Sequence, residues 1–189
     1  SMPQVHLFDA KAGAGFFAIK RFDRDGARRL HMHTACGLLH SDYRTPSLDY
    51  EDLIALTSSL TRDVREVEKM YQLAVFNVFA HNRDDHSKNF SYLMDSQGRW
   101  KLSPAYDLTF SSGPRGEQST LVMGEGKNPD TKHLLKLADE AKIKKDRALE
   151  IIETTKSSLS NWPELAKQYA VSDMNIELIQ SKISQVAGE

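Results

Sequence analysis

A chain of 189 residues with 40% hydrophobic and 27% charged residues has the composition of an ordinary globular protein, long enough for one domain with a sizeable core. Its 25 basic and 26 acidic residues nearly cancel, which argues against a general nucleic-acid or membrane-surface binder. One cysteine, Cys36, excludes an internal disulfide framework and fits a reducing compartment, and no apolar run approaches the roughly 18 residues of a spanning helix. With no signal peptide at its start, the expected location is the cytoplasm. Ser1 ahead of Met2 reads as a tag-cleavage scar.

In chain order, Val5 to Ala10 and Phe16 to Phe22 read as two strands joined by the glycine-containing turn Lys11 to Gly15. Arg28 to Leu39 reads as a short helix. Pro46-Ser47 introduces a second helix near Leu48 to Leu60. The strongest helical pattern runs from about Asp63 to Ala80, where Val64, Val67, Tyr71, Ala74, Val75 and Val78 recur at helical spacing and Thr61 is a plausible cap. Leu73 to Ala80 is nearly all apolar, which puts this helix at the centre of the core.

The polar run His81 to Asn89 breaks that pattern. Phe90 to Met94 and Trp100 to Leu102 form an expected hairpin around Asp95-Ser96-Gln97-Gly98, and Pro104 to Phe110 is extended. Ser111 to Asp130, rich in Gly, Ser and Pro, reads as a long surface loop. Helices are expected over 131–141, 145–160, 163–169 and 173–187. The pattern predicts an α+β, mostly helical fold. Residues 1–24 are expected to hold the strand pair and the segment after it, 25–110 the central helices and hairpin, 111–130 a loop and 131–189 a helical tail.

Asn82-Arg83-Asp84-Asp85-His86-Ser87-Lys88-Asn89 concentrates groups that handle protons, metals and phosphates, on a loop between a buried helix and a hairpin. Phosphoryl transfer needs a carboxylate to take or orient the proton of the attacking hydroxyl. It also needs an amide oxygen and a second carboxylate to hold Mg²⁺ against nucleotide phosphates. In protein kinases the catalytic Asp precedes a metal-binding Asn by five residues, and another metal-binding Asp lies past a β-hairpin. Asp84 and Asn89 have that spacing, and Asp107 lies beyond the hairpin. Spacing favours Asp84 over its neighbour Asp85, whose role stays ambiguous.

The run Asp84 to Ser91, followed by Leu102-Ser103-Pro104-Ala105-Tyr106-Asp107-Leu108, resembles the D-x-H-x-K-N-F and L-x-P-x-Y-D signatures of HipA-like serine/threonine kinases. Lys20-Arg21-Phe22-Asp23-Arg24 matches an earlier pattern of that family, and His133 to Ala138 fits the opening of its terminal helices, so the resemblance runs from about residue 16 to the end. It implies a protein-kinase-like C-lobe, with a small N-terminal β-hairpin and an inserted hairpin bearing the metal-site loop. It implies ATP and Mg²⁺ as cofactors, Asp84 as base, and Asn89 and Asp107 as metal ligands. His86 and Lys88 would support the loop or the phosphates, Lys20, Arg21 and Phe22 the adenine hinge, and Asp23 the ribose. His33 is a further residue facing nucleotide. The implied partners are a protein substrate such as a translation factor or aminoacyl-tRNA synthetase, and an antitoxin, with no direct nucleic-acid contact and no membrane.

Three tempting motifs fail on spacing. Phe17-Ala18-Ile19-Lys20 resembles V-A-I-K, but only four residues separate Gly15 from Lys20, too few for a phosphate-covering hairpin. Gly124-Glu125-Gly126-Lys127 has Leu121 where a Walker A loop needs Gly and Asn128 where it needs Ser or Thr. His31, His33, His40 and His81 match no compact zinc motif. A β-rich lobe with a glycine-rich loop and phosphate lysine is not evident. The expectation is a piece of a larger kinase, a short natural protein, or a chain completed by a separate lobe. The alternatives in function are a truncated pseudokinase binding module and a metal-dependent phosphohydrolase built on Asp84, Asp85 and His86.

Overall fold

The computed structural model describes residues 2–13, 15–42 and 48–188. Ser1, Ala14 of the expected first turn, and the Pro46-Ser47 helix introduction lie outside the described residues. Strand β1 (Val5–Phe8) pairs antiparallel with β2 (Phe16–Ile19), shorter than expected at both far ends. Phe16 and Phe17 are 68% and 70% exposed, so this ribbon presents apolar side chains to solvent. A second small ribbon pairs β3 (Arg24–Asp25) with β4 (Arg28–Arg29).

The expected helix over Arg28 to Leu39 is corrected. His31–Thr34 is strand β5, and only Ala35–Leu38 is helical (α1), its Gly37 N–H held by the Thr34 hydroxyl. The reason lies far along the chain. Strands β7 (Ser91–Met94) and β8 (Trp100–Leu102) form the expected hairpin, and β5 adds to its open edge in register His31 to Met94 through Thr34 to Ser91. Paired N–H and C=O groups then outweigh a weak local helix preference.

Helix α2 (Tyr50–Thr61) begins at an Asp49–Asp52 capping box and ends at Arg62, whose backbone is left-handed. Leu48–Asp49, expected within this helix, is instead strand β6. Helix α3 (Val64–Phe79) is capped by Asp63, not by Thr61, which closes α2 with its hydroxyl on the Thr57 carbonyl. Val67, Met70, Tyr71, Ala74, Val75, Val78 and Phe79 of α3 are buried. They pack with Tyr50, Leu53 and Ile54 of α2 and with residues of α4 (Thr131–Glu140) and α5 (Lys145–Leu159), among them Leu134, Leu137 and Ile152. Each fully buried aliphatic or aromatic side chain contributes roughly 1.5–3 kcal/mol, so this one helix organises the core. Helices α6 (Trp162–Gln168) and α7 (Asp173–Ala187) pair with each other, and α7 also lies against α3.

The segment 111–130 is also corrected. It is threaded into the molecule instead of lying free on the surface. Its strand β9 (Thr120–Leu121) runs parallel to β6, and Gln118, Thr120 and Val122 are buried. The Asp49 carboxylate that caps α2 also accepts the N–H groups of Met123 at 3.0 Å and Gly124 at 2.6 Å.

Candidate active site

The adjacent carboxylates Asp84 and Asp85 have opposite environments. The Asp84 side chain is 54% exposed, with the His86 Nε2 at 4.0 Å. Asp85 is 1% exposed and accepts four hydrogen bonds: from the Tyr50 hydroxyl at 2.7 Å, Gln118 Nε2 at 3.2 Å, and the N–H groups of Ser119 at 3.0 Å and Thr120 at 3.2 Å. The network reaches into the core, because Asn77 Nδ2 donates to the Tyr50 oxygen and Asn82 Nδ2 donates to Asn77 Oδ1. Burial pushes the Asp85 carboxyl up to about 7, against the downward pull of those donors. The same burial raises the Tyr50 hydroxyl well above its usual range. Asp85 therefore anchors the loop while Asp84 faces solvent.

Asn89 ends a 3-10 turn (Ser87–Asn89) and its Nδ2 donates to the Asp84 carbonyl at 2.9 Å. That bond ties the two ends of the five-residue loop and leaves the amide oxygen as an acceptor. Asp107 is exposed and sits in the left-handed region at φ 56°, a conformation that short polar side chains tolerate best. Its neighbour Tyr106 donates to the Lys88 carbonyl at 2.6 Å and meets the Ser91 hydroxyl at 2.6 Å. Burial raises the Tyr106 hydroxyl as well. The Tyr106 ring also packs against Phe22, centroids 5.5 Å apart. One side chain thus joins the Phe22 segment, the Asp84–Asn89 loop and the chain bearing Asp107. Tyr106→Phe is expected to cost about 1–2 kcal/mol, read as a fall of several degrees in Tm, since it deletes two hydrogen bonds and keeps the ring.

The remaining expected ligand residues are placed differently. The Lys20 N–H donates to the Gln4 carbonyl at 2.8 Å, extending the first ribbon. Asp23 is paired with the guanidinium groups of Arg21, at 2.7 Å, and Arg24, and the Arg21 hydrogen bond holds its carboxyl below the usual range. His33 lies on β5 with its ring against Gly37, where any Cβ would meet the ring at 2.3 Å. His81 stacks on Phe110 and bonds the Ser111 carbonyl, and burial lowers its pKa. Among the described residues no three His, Cys, Asp or Glu side chains converge as a metal cluster.

Sequence reasoning missed Arg83. Its guanidinium donates to the carbonyls of Gly116 and, at 3.0 Å, Lys127, while its own carbonyl accepts from the Ser119 hydroxyl at 2.9 Å. Gly113 packs against it at φ 70°, and a Cβ there would lie 2.5 Å from the Arg83 Cβ. The position of Arg83, one residue before the exposed Asp84, was the only signal in the sequence.

The whole arrangement has relatives. A model of the HipA-like C-terminal domain matches residues 1–162, beginning earlier and ending sooner than the motif resemblance. A putative kinase, Y4mE, of Sinorhizobium fredii is 34% identical over 107 residues, covering 51% of this chain and 25% of that protein. The serine/threonine-protein kinase toxin HipA of Shewanella oneidensis is 28% identical over 103 residues, covering 54% of this chain and 22% of that protein. The chain therefore spans only a minor part of the curated relatives it matches. A solved complex of the Shewanella oneidensis MR-1 toxin–antitoxin system HipA, HipB and its operator DNA superposes with a TM-score of 0.71 at 16% identity, over 98% of this chain and 50% of that one. That likeness shows the fold. The family model covers most of the sequence, and the chain belongs to the HipA-like C-terminal domain family.

Proposed function

We propose that this chain carries the phosphoryl-transfer half of a HipA-like serine/threonine kinase, moving the γ-phosphate of ATP to a protein serine. The observation that supports this best is the junction at Tyr106, which gathers the Phe22 segment, the Asp84–Asn89 loop and the irregular chain that bears Asp107. Asp84, exposed beside a buried twin, takes the role of base toward the substrate hydroxyl. Asn89 and Asp107 supply hard oxygen donors, and one carboxylate plus one amide, completed by phosphates and water, suits Mg²⁺ better than an all-protein cage. Bound Mg²⁺ would neutralise the phosphate charge. His86 and Lys88 support the loop that presents Asp84. Transfer of label from γ-labelled ATP to a protein fraction should appear with the wild type and vanish in Asp84→Ala and Asp107→Ala; equal labelling by all three would sink the mechanism.

The exposed ribbon β1–β2 favours a companion reading, in which activity needs a β-rich lobe packed on Phe16, Phe17 and Phe8. Adding such a lobe as a separate chain should then raise the labelling. An antitoxin partner is proposed by kinship with the Shewanella complex of HipA, HipB and operator DNA. A pulldown with the companion protein of the same operon tests it.

A further inference from the structure

Behind the catalytic loop lies a cavity of about 490 Å³, lined among others by His81, Arg83, Lys127, Asp130 and Lys182. Three cations reach it from three separate parts of the chain: the loop before Asp84, the 111–130 segment, and helix α7. Arg83 is half-buried and its two acceptors are neutral carbonyls. Among the described residues no carboxylate lies within ion-pair distance of it. Its closest acidic influences are Asp85 and Glu117, and burial outweighs them, lowering its pKa. Lys182 meets, among the described residues, the neutral Gln185 oxygen at 3.3 Å. Asp130 is the carboxylate of the wall among the described residues, and it is engaged elsewhere. Its Oδ1 lies 2.7 Å from the His133 Nδ1 and accepts the Lys132 and His133 N–H groups that start α4.

We infer that this cavity binds a phosphate monoester. Among the described lining residues three cations face one acid, an excess of two that matches a dianion and exceeds what a carboxylate would balance. A forked guanidinium beside two ammonium groups is the donor set that phosphate oxygens take up. The concave shape limits the ligand to a compact group. It does not suit a stretch of nucleic-acid backbone, which calls for an extended basic stripe. The phosphate source is either a small phosphorylated metabolite or a phosphorylated side chain, since both offer the same head group. The site stands apart from the kinase reading, because it is tested by binding alone.

The test is calorimetric titration of the whole chain at low salt with inorganic phosphate, O-phosphoserine, a phosphoserine peptide and its unphosphorylated form. Lys127→Gln and Lys182→Gln serve as variants, since Lys127 is exposed and Lys182 half-buried, neither belongs to the hydrophobic core, and glutamine keeps most of the side-chain length. Wild type should bind the phosphate compounds and ignore the unphosphorylated peptide. Each variant should weaken binding roughly five- to tenfold, as loss of one charge-assisted bond does. Tighter binding of the peptide than of free phosphoserine points to a phosphorylated side chain, and equal binding points to a metabolite. Absence of binding at roughly 10 mM, or variants that bind as wild type does, overturns the proposal.

Discussion

Replacing Asp85 with alanine is expected to cost roughly 3–5 kcal/mol and to lower Tm by more than about 8 °C. The substitution strands four donors in a dry interior: the Tyr50 hydroxyl, the Gln118 amide, and the Ser119 and Thr120 N–H groups. Asp85→Asn keeps one acceptor oxygen and should cost less, about 1–2 kcal/mol. The pH dependence separates charge from shape. A carboxyl that titrates near 3.9 in the unfolded chain and near 7 when buried holds an extra proton in the folded state between those values. Its stabilising contribution is full below about 4 and is lost as pH rises through about 7, at up to ~1.4 kcal/mol per pH unit. The stability of wild type minus that of Asp85→Asn should therefore fall across that window and level off above it. Chemical denaturation at several pH values measures this, and a difference that rises with pH would contradict the buried, proton-holding state.

Asp84→Asn should behave in the opposite way. The side chain is more than half exposed and anchors nothing, so folding stability should stay within about 0.5 kcal/mol of wild type. If Asp84 is the base of the proposed transfer, phosphorylation should drop by roughly 10²–10⁴-fold. Two neighbouring carboxylates would then split cleanly, one lost in Tm with the other lost in rate. Initial rates with labelled ATP, together with thermal melts of the same samples, decide it. An Asp84→Asn variant with full activity, beside an inactive but folded Asp85→Asn, would transfer the catalytic role to Asp85.

Most of the helical frame could be read from the sequence, because α3 and the terminal helices carry their information locally. Helical spacing of Val67, Tyr71, Ala74, Val75 and Val78 needs no partner to be recognised. Apart from the cap of α3, which is Asp63 and not Thr61, the larger differences fall where a partner lies far away. His31–Thr34 becomes a strand because of Ser91–Met94, some sixty residues on. Residues 111–130 look like a free loop in composition, yet β6 and Asp85 draw them inward. The same distance hid Asp85: its donors come from Tyr50 and from Gln118 to Thr120, so adjacency to Asp84 could not show which carboxylate is buried. Asp84, Asn89 and Asp107 are candidates on motif spacing alone, whereas the contacts of Tyr106 with Phe22 and the Lys88 carbonyl required the fold.

The threading of residues 111–130 also sets an order of events in folding. Asp49 waits for Met123 and Gly124, and Asp85 waits for Ser119 and Thr120, so these bonds close loops of about 35 to 75 residues. Loop-closure entropy makes such contacts late ones, formed after α2 and α3 have packed. Truncations in α3 should slow refolding, while substitutions at Ser119 or Thr120 should chiefly hasten unfolding. The loop bearing Asp84 is then among the last parts of the molecule to take shape and the first to be lost.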